Sequence, residues 1–351
     1  MRIVVNDIAA EKGGALTVLK DFYNCVKEND TENEWVFLLG DHLLEETANI
    51  KVITLPEIKK SHLKKLLFDL FFGKKFIHSL SPDAVLSLQN TAAWGLKVPQ
   101  LVYIHQSIPF QTVKRFSFLK RSERKLAVIQ YLIGEFIKLS AKICDKVIVQ
   151  TEWMKQAVCK QCRLSEDKVM KVSPSVPDLS SLLTSEPFNR HLFFYPTAPA
   201  AYKNNAAIFS ASDRLREKQL EHQILLTLPP EFSRGNIRCV GRLPYPEVIR
   251  TYAQSTLVFP SYIETFGFPM AEARKVGTIV LASDCPFSRE VLKDYENAYF
   301  FDPFQPEELA NLMERVITGD IQKRCAVINE TIIVDGWNII RCEVLSAAQK
   351  H

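Results

Sequence analysis

The chain has 351 residues, of which 47% are hydrophobic and 24% are charged, with a formal net charge of +4. This composition excludes a disordered chain and supplies enough apolar material for two domains with separate cores. No uninterrupted apolar run approaches the ~20 residues that span a bilayer. Residues 1–7 predict a short strand rather than a signal peptide, because polar residues interrupt the apolar run early. We therefore expect a cytoplasmic protein.

The first half of the chain alternates strand-like apolar runs with helical patterns, which is typical of parallel sheets covered by helices. Helices are predicted over Ala15–Lys27 and Arg124–Ala141, among others. The predicted strands are Arg2–Asn6, Trp35–Leu39, Lys51–Thr54, Ala84–Ser87, Leu101–Ile104 and Lys146–Val149. Ligands of such sheets bind beyond the carboxyl ends of the strands. Gly13 and Gly14 after the first strand, and His105 after the fifth, are therefore candidate site residues.

The glycine pair is also compatible with a plain strand-to-helix turn. There is no Gly-x-Gly-x-x-Gly and no Walker sequence, so a dinucleotide or P-loop site lacks its motif. Cys159 and Cys162 form a Cys-x-x-Cys, which occurs in zinc and redox sites. No second pair stands at a suitable distance, and the surrounding residues predict an ordinary helix. We expect buried thiols in a reducing compartment.

Two stretches, residues 59–76 and 114–125, combine lysines and arginines with bulky apolar side chains. A basic helix with an apolar face is a plausible seat on an anionic membrane surface. The alternative is a core helix whose lysines are solvated at its ends. No nucleic-acid-binding motif accompanies these charges, so nucleic acid is not an expected partner.

Residues 172–190 contain three prolines among serines and predict an interdomain linker. A second alternating series of strands and helices follows, from His191 to about Asp320. The last segment, Ile321–Gln349, is predicted to be helical.

The most informative motif is the run 261–273, in which Glu264 and Glu272 flank Gly267 and Pro269. Proline is tolerated in the first turn of a helix, so a helix is predicted to begin near Gly267 or Phe268. Its unpaired first amides and its dipole form a phosphate site. Positions eight apart are separated by roughly 12 Å along a helix axis, which is about the span of a nucleoside diphosphate sugar. A surface helix with one capping and one exposed acid is the alternative.

The stretch Val258–Ala273 closely resembles the signature of retaining glycosyltransferase family 4, and 241–248 and 277–285 are similar to that family as well. The resemblance implies the α/β GT-B fold, two doubly wound Rossmann-like domains that face each other across a cleft. The expected domains are an acceptor-side domain of residues 1–175 and a nucleotide-sugar-binding domain of residues 176–334. A C-terminal helix at about 335–351 is expected to pack back on the first domain.

The resemblance also implies roles for the candidate residues. Glu264 is expected to bind hydroxyls of the transferred sugar and Glu272 those of the ribose. Lys203 is expected to offset charge on the leaving diphosphate. The other expected donor contacts are the backbone amides of Thr265, Phe266, Gly267 and Phe268, together with His105 at the sugar and Gly14 near the phosphate or acceptor.

One feature departs from the family pattern. Ala198 stands where many members have an arginine, and Arg242 is the candidate for the second cation. Gln89, Asn90 and Gln106 are candidates for the acceptor side.

These roles imply a retaining, metal-independent glycosyltransferase without a cofactor. No Asp-x-Asp sequence is present, so no divalent metal ion is expected. Residues 4–10, 13–23 and 103–110 look most like bacterial capsule-assembly rhamnosyltransferases. That likeness implies transfer of L-rhamnose from dTDP-rhamnose to an undecaprenyl-diphosphate-linked saccharide at the inner face of the plasma membrane. The alternatives are a UDP- or GDP-sugar donor, a non-catalytic nucleotide-sugar-binding protein, and a nucleotide-sugar epimerase.

Overall fold

The computed structural model describes residues 1–11, 13–183, 187–324 and 336–350, with the backbone alone for His62 and Leu63. The chain divides into two compact units. Unit 1 contains Met1–Ser175 and Val334–His351, and unit 2 contains Val176–Ile333. Each unit is built around one parallel sheet.

Unit 1 has a seven-stranded sheet within its described residues, in the order β3-β2-β1-β4-β5-β6-β7. Its strands are β1 (Arg2–Asp7), β2 (Glu34–Leu39), β3 (Ile50–Thr54), β4 (Ala84–Ser87), β5 (Gln100–Ile104), β6 (Lys146–Val149) and β7 (Val169–Lys171). Its helices are α1 (Gly14–Asn29), α2 (Pro56–Lys59), α3 (His62–Leu67), α4 (Gly73–Ser79), α5 (Arg124–Ala127), α6 (Gly134–Ile143), α7 (Glu152–Cys162) and, from the C-terminal segment, α13 (Gly336–Gln349). Strand order reverses between β1 and β4, as in a doubly wound sheet.

Alternation along β1 explains why both faces of this sheet are covered. Ile3 and Val5 belong to one buried cluster with α1 and α13. Val4 points to the other face, where it joins a second cluster. A strand that is buried on both faces reads as a continuous apolar run, as the sequence of β1 does.

Helix α13 packs against the rest of unit 1 through aromatic and ionic contacts. The ring of Trp337 lies 5.5 Å from that of Tyr103 and 6.0 Å from that of Phe22. Glu343 of α13 pairs with Lys146 at 2.5 Å. The C-terminal helix thus completes the core of the first unit.

Unit 2 has a six-stranded sheet within its described residues, in the order β10-β9-β8-β11-β12-β13. Its strands are β8 (Leu192–Tyr195), β9 (Gln223–Leu226), β10 (Ile237–Cys239), β11 (Thr256–Phe259), β12 (Val280–Ser283) and β13 (Ala298–Phe301). Its helices are α8 (Asn205–Glu217), α9 (Tyr245–Gln254), α10 (Phe268–Val276), α11 (Pro286–Val291) and α12 (Pro306–Thr318). Strand order reverses between β8 and β11.

The six strands predicted for the first half are confirmed to within about one residue. The three-residue strand β7 was not predicted. The predicted helix Arg124–Ala141 is α5 and α6 joined by a π-helical segment, Val128–Ile133, and a similar segment, Phe68–Phe72, follows α3.

The predicted C-terminal helix over Ile321–Gln349 is wrong at its start. Residues 321–324 are not helical, because the side-chain amide of Asn297 binds both the N–H and the C=O of Arg324. Residues 325–335 of that prediction lie outside the described residues. No described helix is long and apolar enough to cross a membrane.

Candidate functional site

The carboxyl ends of β8 and β11 meet where the strand order of unit 2 reverses, which is where open α/β sheets bind ligands. Lys203 ends a single helical turn, Ala201–Lys203, in the loop after β8. Glu264 lies in the loop after β11, ahead of α10. The two loops are tied together by the amide of Tyr262, which donates to the carbonyl of Tyr202 at 3.1 Å.

Lys203 and Glu264 form an ion pair, with Nζ and Oε1 2.5 Å apart and less than a fifth of either side chain exposed. The hydroxyl of Ser261 donates to the same carboxylate oxygen at 2.7 Å. Burial acts to lower the pKa of Lys203, but the charge of Glu264 and two nearby tyrosines raise it above its usual value. The lysine therefore stays protonated at neutral pH.

Helix α10 begins at Phe268, as the motif predicts, with Gly267 at its N-cap. Gly267 has φ +91°, a conformation that favours glycine, and a Cβ there would come within 2.6 Å of the end of Met270. The rings of Phe266 and Phe268 pack edge to face at 5.3 Å. Pro269 has no N–H, and the amide of Met270 donates to the carbonyl of Gly267 at 3.0 Å. The N-terminus of α10 therefore offers an anionic ligand the amide of Phe268 and the positive end of the helix dipole.

Glu272 lies just over a turn into α10 and is largely buried. The hydroxyl of Tyr252 donates to its Oε2 at 3.2 Å, and Tyr245 donates to the same carboxylate. Burial raises the pKa of Glu272 to about 7, although both tyrosine hydrogen bonds act in the opposite direction. These two tyrosines are not among the predicted site residues, although their spacing of seven places both on one face of a helix.

Arg242 is exposed on the loop between β10 and α9, and it forms no ion pair within the described residues. Ala198, the position of the arginine in many family members, lies in the loop after β8. Within the described part of the chain, Lys203 is therefore the cation that pairs with Glu264, and no second one joins it.

The remaining predicted residues lie in unit 1. His105 follows β5, and its amide donates to Asn90 Oδ1 at 2.7 Å. Burial lowers the pKa of His105 to about 4, and its Nδ1 has no hydrogen-bond partner in the described part of the chain. Gly14 opens α1 after Gly13, which has φ +63°, and a Cβ at either glycine would meet no atom within 4 Å. The space in front of this backbone is open.

Two buried acids at the same edge of the sheet were missed by the sequence analysis. Asp7 ends β1, and both of its carboxylate oxygens lack a hydrogen-bond partner within the described residues. Asp69 accepts hydrogen bonds from Thr91 at 2.6 Å and from Gln89 at 3.1 Å, so Gln89 has a structural partner. Burial raises the pKa of Asp7 to about 8 and that of Asp69 to about 7. Neither residue belongs to a motif, so only the fold reveals their burial.

The basic and apolar stretches contain both buried and exposed residues. In 59–76, Phe68 joins the core, whereas Phe71 and Phe72 are 63% and 64% exposed. Leu63 lies outside the described side chains. In 114–125, Phe116 is buried and Leu119 is 91% exposed.

The Cys-x-x-Cys pair lies on α7, an ordinary helix, as predicted. Burial raises the pKa of both Cys159 and Cys162, which disfavours the thiolate form that binds metals. Across the described residues, no group of three or more histidine, cysteine, aspartate and glutamate side chains is arranged to hold a metal ion.

Comparison with known proteins gives matches to part of the sequence. Residues 205–332 match the family model "Glycosyl transferases group 1". An 85-residue segment, 24% of the chain, is 34% identical to D-inositol 3-phosphate glycosyltransferase of Nocardioides sp.. A 157-residue segment, 43% of the chain, is 29% identical to the serotype-specific mannosyltransferase WbdA of Escherichia coli. Each match spans 19% of the length of the relative.

Solved structures match over the whole chain. The apo form of the lipopolysaccharide outer core galactosyltransferase WaaB has a TM-score of 0.65 at 16% identity, over 99% of both chains. Anabaena HepE in complex with UDP has a TM-score of 0.64 at 17% identity, over 100% of this chain and 98% of its own. The fold prediction is therefore confirmed: the chain consists of two Rossmann-like α/β domains of the GT-B type.

Proposed function

We propose that this chain is a glycosyltransferase that moves a sugar from a nucleotide donor to an acceptor, with retention of configuration and without a metal ion. The observation that carries the proposal lies within unit 2. A protonated lysine, a carboxylate, a helix N-terminus and a second carboxylate follow one another at the sheet's switch point. Glu264, the N-terminus of α10 and Glu272 correspond in chain order to the sugar, the diphosphate and the ribose of a nucleotide sugar, and Lys203 adds a positive charge for the diphosphate.

The chemistry follows from these groups. Glu264 accepts hydrogen bonds from hydroxyls of the sugar, and Glu272 accepts those of the ribose. Lys203 and the N-terminus of α10, with the amide of Phe268 and the helix dipole, stabilise the charge that develops on the leaving diphosphate. The described residues place no carboxylate clearly as a nucleophile, so we favour departure and attack on the same face of the sugar.

For the donor, we propose dTDP-rhamnose, which is supported by the resemblance of the first half to capsule rhamnosyltransferases. A UDP-sugar is the second candidate, because one of the similar solved structures holds UDP. The acceptor that fits the exposed phenylalanines and lysines of unit 1 is a saccharide linked to undecaprenyl diphosphate. Such an acceptor requires contact with the cytoplasmic face of the membrane.

Thermal unfolding in the presence of dTDP-rhamnose, UDP-glucose, UDP-galactose and GDP-mannose tests the donor. A ligand well above its dissociation constant raises the apparent stability, by about 2.7 kcal/mol at a hundredfold excess. We expect stabilisation by one nucleotide class, and release of nucleoside diphosphate only after a lipid-linked saccharide is added. NMR of the product then gives the anomeric configuration, and EDTA tests the independence from metal.

Single substitutions in unit 2 test which residue binds the donor. Lys203→Ala is expected to weaken donor binding by ~10–100-fold, because a charge-assisted contact is lost. Lys218→Ala is the matched control, since Lys218 forms a partly exposed ion pair with Glu314 in the same unit. Equal affinity in both variants, or nucleotide release without acceptor, would contradict the proposal.

A further inference from the structure

Glu272 is held by two hydroxyls from the neighbouring helix. Tyr252 donates to Oε2 at 3.2 Å, and Tyr245 donates to the same carboxylate. The two tyrosines are seven residues apart on α9, so both lie on the face that packs against α10. A carboxylate has about four acceptor positions. Both hydrogen bonds therefore leave room for ligand hydroxyls.

The two tyrosines differ in exposure. Tyr252 is completely buried, and its ring packs against that of Phe194 at 5.5 Å. Tyr245 is the first residue of α9 and is 43% exposed. Tyr252 is thus a fixed partner of the carboxylate, whereas Tyr245 stands at the solvent edge.

The two basic side chains of α10 bind backbone carbonyls. Arg274 donates to the carbonyl of Val291, and Lys275 donates to that of Val176. Strands β11 and β12 carry no ionisable side chains. Helix α9, which packs against α10, also carries Glu247 and Arg250. Helix α11, which packs against α10 as well, carries Glu290 and Arg289, and Arg289 pairs with Asp284. Among the described residues, the groups that act on the titration of Glu272 are the two tyrosines.

We propose that Tyr245 and Tyr252 are positioning residues for the donor, which hold Glu272 ionised and oriented toward the ribose, and that donor affinity consequently changes with pH around neutrality. The inference rests on the proposed function, in which Glu272 accepts ribose hydroxyls. An ionised carboxylate accepts from both hydroxyls of a ribose, whereas the neutral acid offers fewer acceptors and a competing donor.

The sign of the pH dependence follows from the titration. Burial raises the pKa of Glu272 to about 7, so the ionised fraction increases as the pH rises from 6 to 8. Donor affinity is expected to increase over the same range, by up to about tenfold per pH unit below the pKa, and to level off above it. Removal of a tyrosine hydroxyl takes away a hydrogen bond that favours the ionised form, which moves the midpoint to higher pH.

The experiment is calorimetric titration with UDP-glucose and dTDP-rhamnose between pH 6 and pH 9. Both phosphates of these probes are esterified, so the second phosphate ionisation near pH 6 is absent from the ligand. For Tyr252→Phe we expect the midpoint to rise by roughly one pH unit, with wild-type affinity restored at pH 9. For Tyr245→Phe we expect a smaller rise, because water replaces the lost hydrogen bond at an exposed site.

Two further variants separate this role from a structural one. Glu272→Gln is expected to bind weakly with a flat pH profile. Tyr295→Phe, which removes a buried hydroxyl bonded to Thr278 at 2.7 Å in the same unit, is expected to leave the midpoint unchanged. A flat wild-type profile, or an unshifted midpoint in Tyr252→Phe, overturns the inference while donor binding itself stands. If neither these probes nor UDP-galactose nor GDP-mannose binds at any pH, the proposed function fails with it.

Discussion

Asp7 occupies an unfavourable position for a carboxylate, at the end of β1 and without a hydrogen-bond partner for its oxygens in the described chain. Burial raises its pKa to about 8, and the charge of Lys65 offsets only part of this effect, while the amide of Ala10 donates to the backbone carbonyl of Asp7 at 3.1 Å. The folded protein therefore binds a proton that the unfolded chain releases above its ordinary pKa near 4. Unit 1 consequently loses stability as the pH rises from about 4 to 8.

Asp7→Asn is expected to remove this loss. Below pH 4 the variant and the wild type should differ little in their pH dependence. Between pH 5 and 8 the variant should gain on the wild type by up to ~1.4 kcal/mol per pH unit. All four tryptophans, Trp35, Trp94, Trp153 and Trp337, lie in unit 1, so urea unfolding followed by tryptophan fluorescence reports on this unit. Glu28→Gln, at an exposed acid of α1, is the control. Parallel pH profiles for Asp7→Asn and the wild type would contradict the assignment.

The sequence predicts the residues of the site better than the environment of each one. Glu264, Gly267 and Glu272 were found because they belong to one short motif. The partners that set their chemistry come from elsewhere in the chain: Lys203 is 61 positions from Glu264, and Tyr252 is 20 positions from Glu272. Burial is a property of the fold, so the raised pKa values of Asp7 and Glu272 have no signature in the sequence.

At the scale of elements, helix α10 carries a glycine at each end in the left-handed conformation. Gly267 has φ +91° at the N-cap and Gly277 has φ +78° at the C-cap. Substitution of either glycine by alanine imposes backbone strain of ~1–2 kcal/mol. Both substitutions therefore impose a similar backbone strain, although only the N-cap adjoins the proposed diphosphate site.

Gly267→Ala is expected to weaken donor binding, because alanine disfavours φ +91° and relief of this strain moves the backbone at the start of the helix; the end of the Met270 side chain can shift away from the new Cβ. Gly277→Ala is expected to reduce thermal stability similarly but to leave donor affinity within about twofold of the wild type, since a Cβ there meets no atom within 4 Å. Calorimetric titration with the preferred nucleotide sugar, together with thermal unfolding, checks both. An equal loss of affinity in the two variants would argue against a diphosphate at the N-terminus of α10.

Elements with a strong apolar pattern were predictable, and irregular ones were not. Strands such as β1 and β6 are buried on both faces and read as continuous apolar runs. In contrast, β7 has three residues, too few for a pattern. The π-helical segment Val128–Ile133 keeps the composition of a helix, so its wider turn leaves no trace in the sequence. Residues 321–324 are not helical, and Asn297 binds Arg324 across 27 positions.

At the scale of the whole molecule, the exposed apolar side chains in the two basic stretches belong to unit 1. Phe71 and Phe72 project from the π-helical segment Phe68–Phe72, and Phe118 and Leu119 project from the loop before α5. The backbone of that loop is fixed by Gln130, which accepts a hydrogen bond from the amide of Phe116 and donates one to the carbonyl of Lys114. Each projection is surrounded in sequence by lysines and arginines, the composition that suits an anionic lipid surface.

Membrane binding by these projections is tested with vesicles of phosphatidylcholine containing phosphatidylglycerol, by cosedimentation. The double variants Phe71→Ser/Phe72→Ser and Phe118→Ser/Leu119→Ser are each expected to weaken binding by at least tenfold, because burial of one large apolar side chain contributes about 2 kcal/mol. Phe232→Ser is the control, since Phe232 is 46% exposed but lies in unit 2, outside both stretches. Wild-type binding should also fall as salt is raised, because the Debye length shortens to ~3 Å at 1 M.

Binding that survives both double variants, or that Phe232→Ser reduces equally, would place the membrane contact elsewhere. The nucleotide affinity of unit 2 should stay unchanged in all three variants, which separates a defect in membrane binding from a general loss of folding.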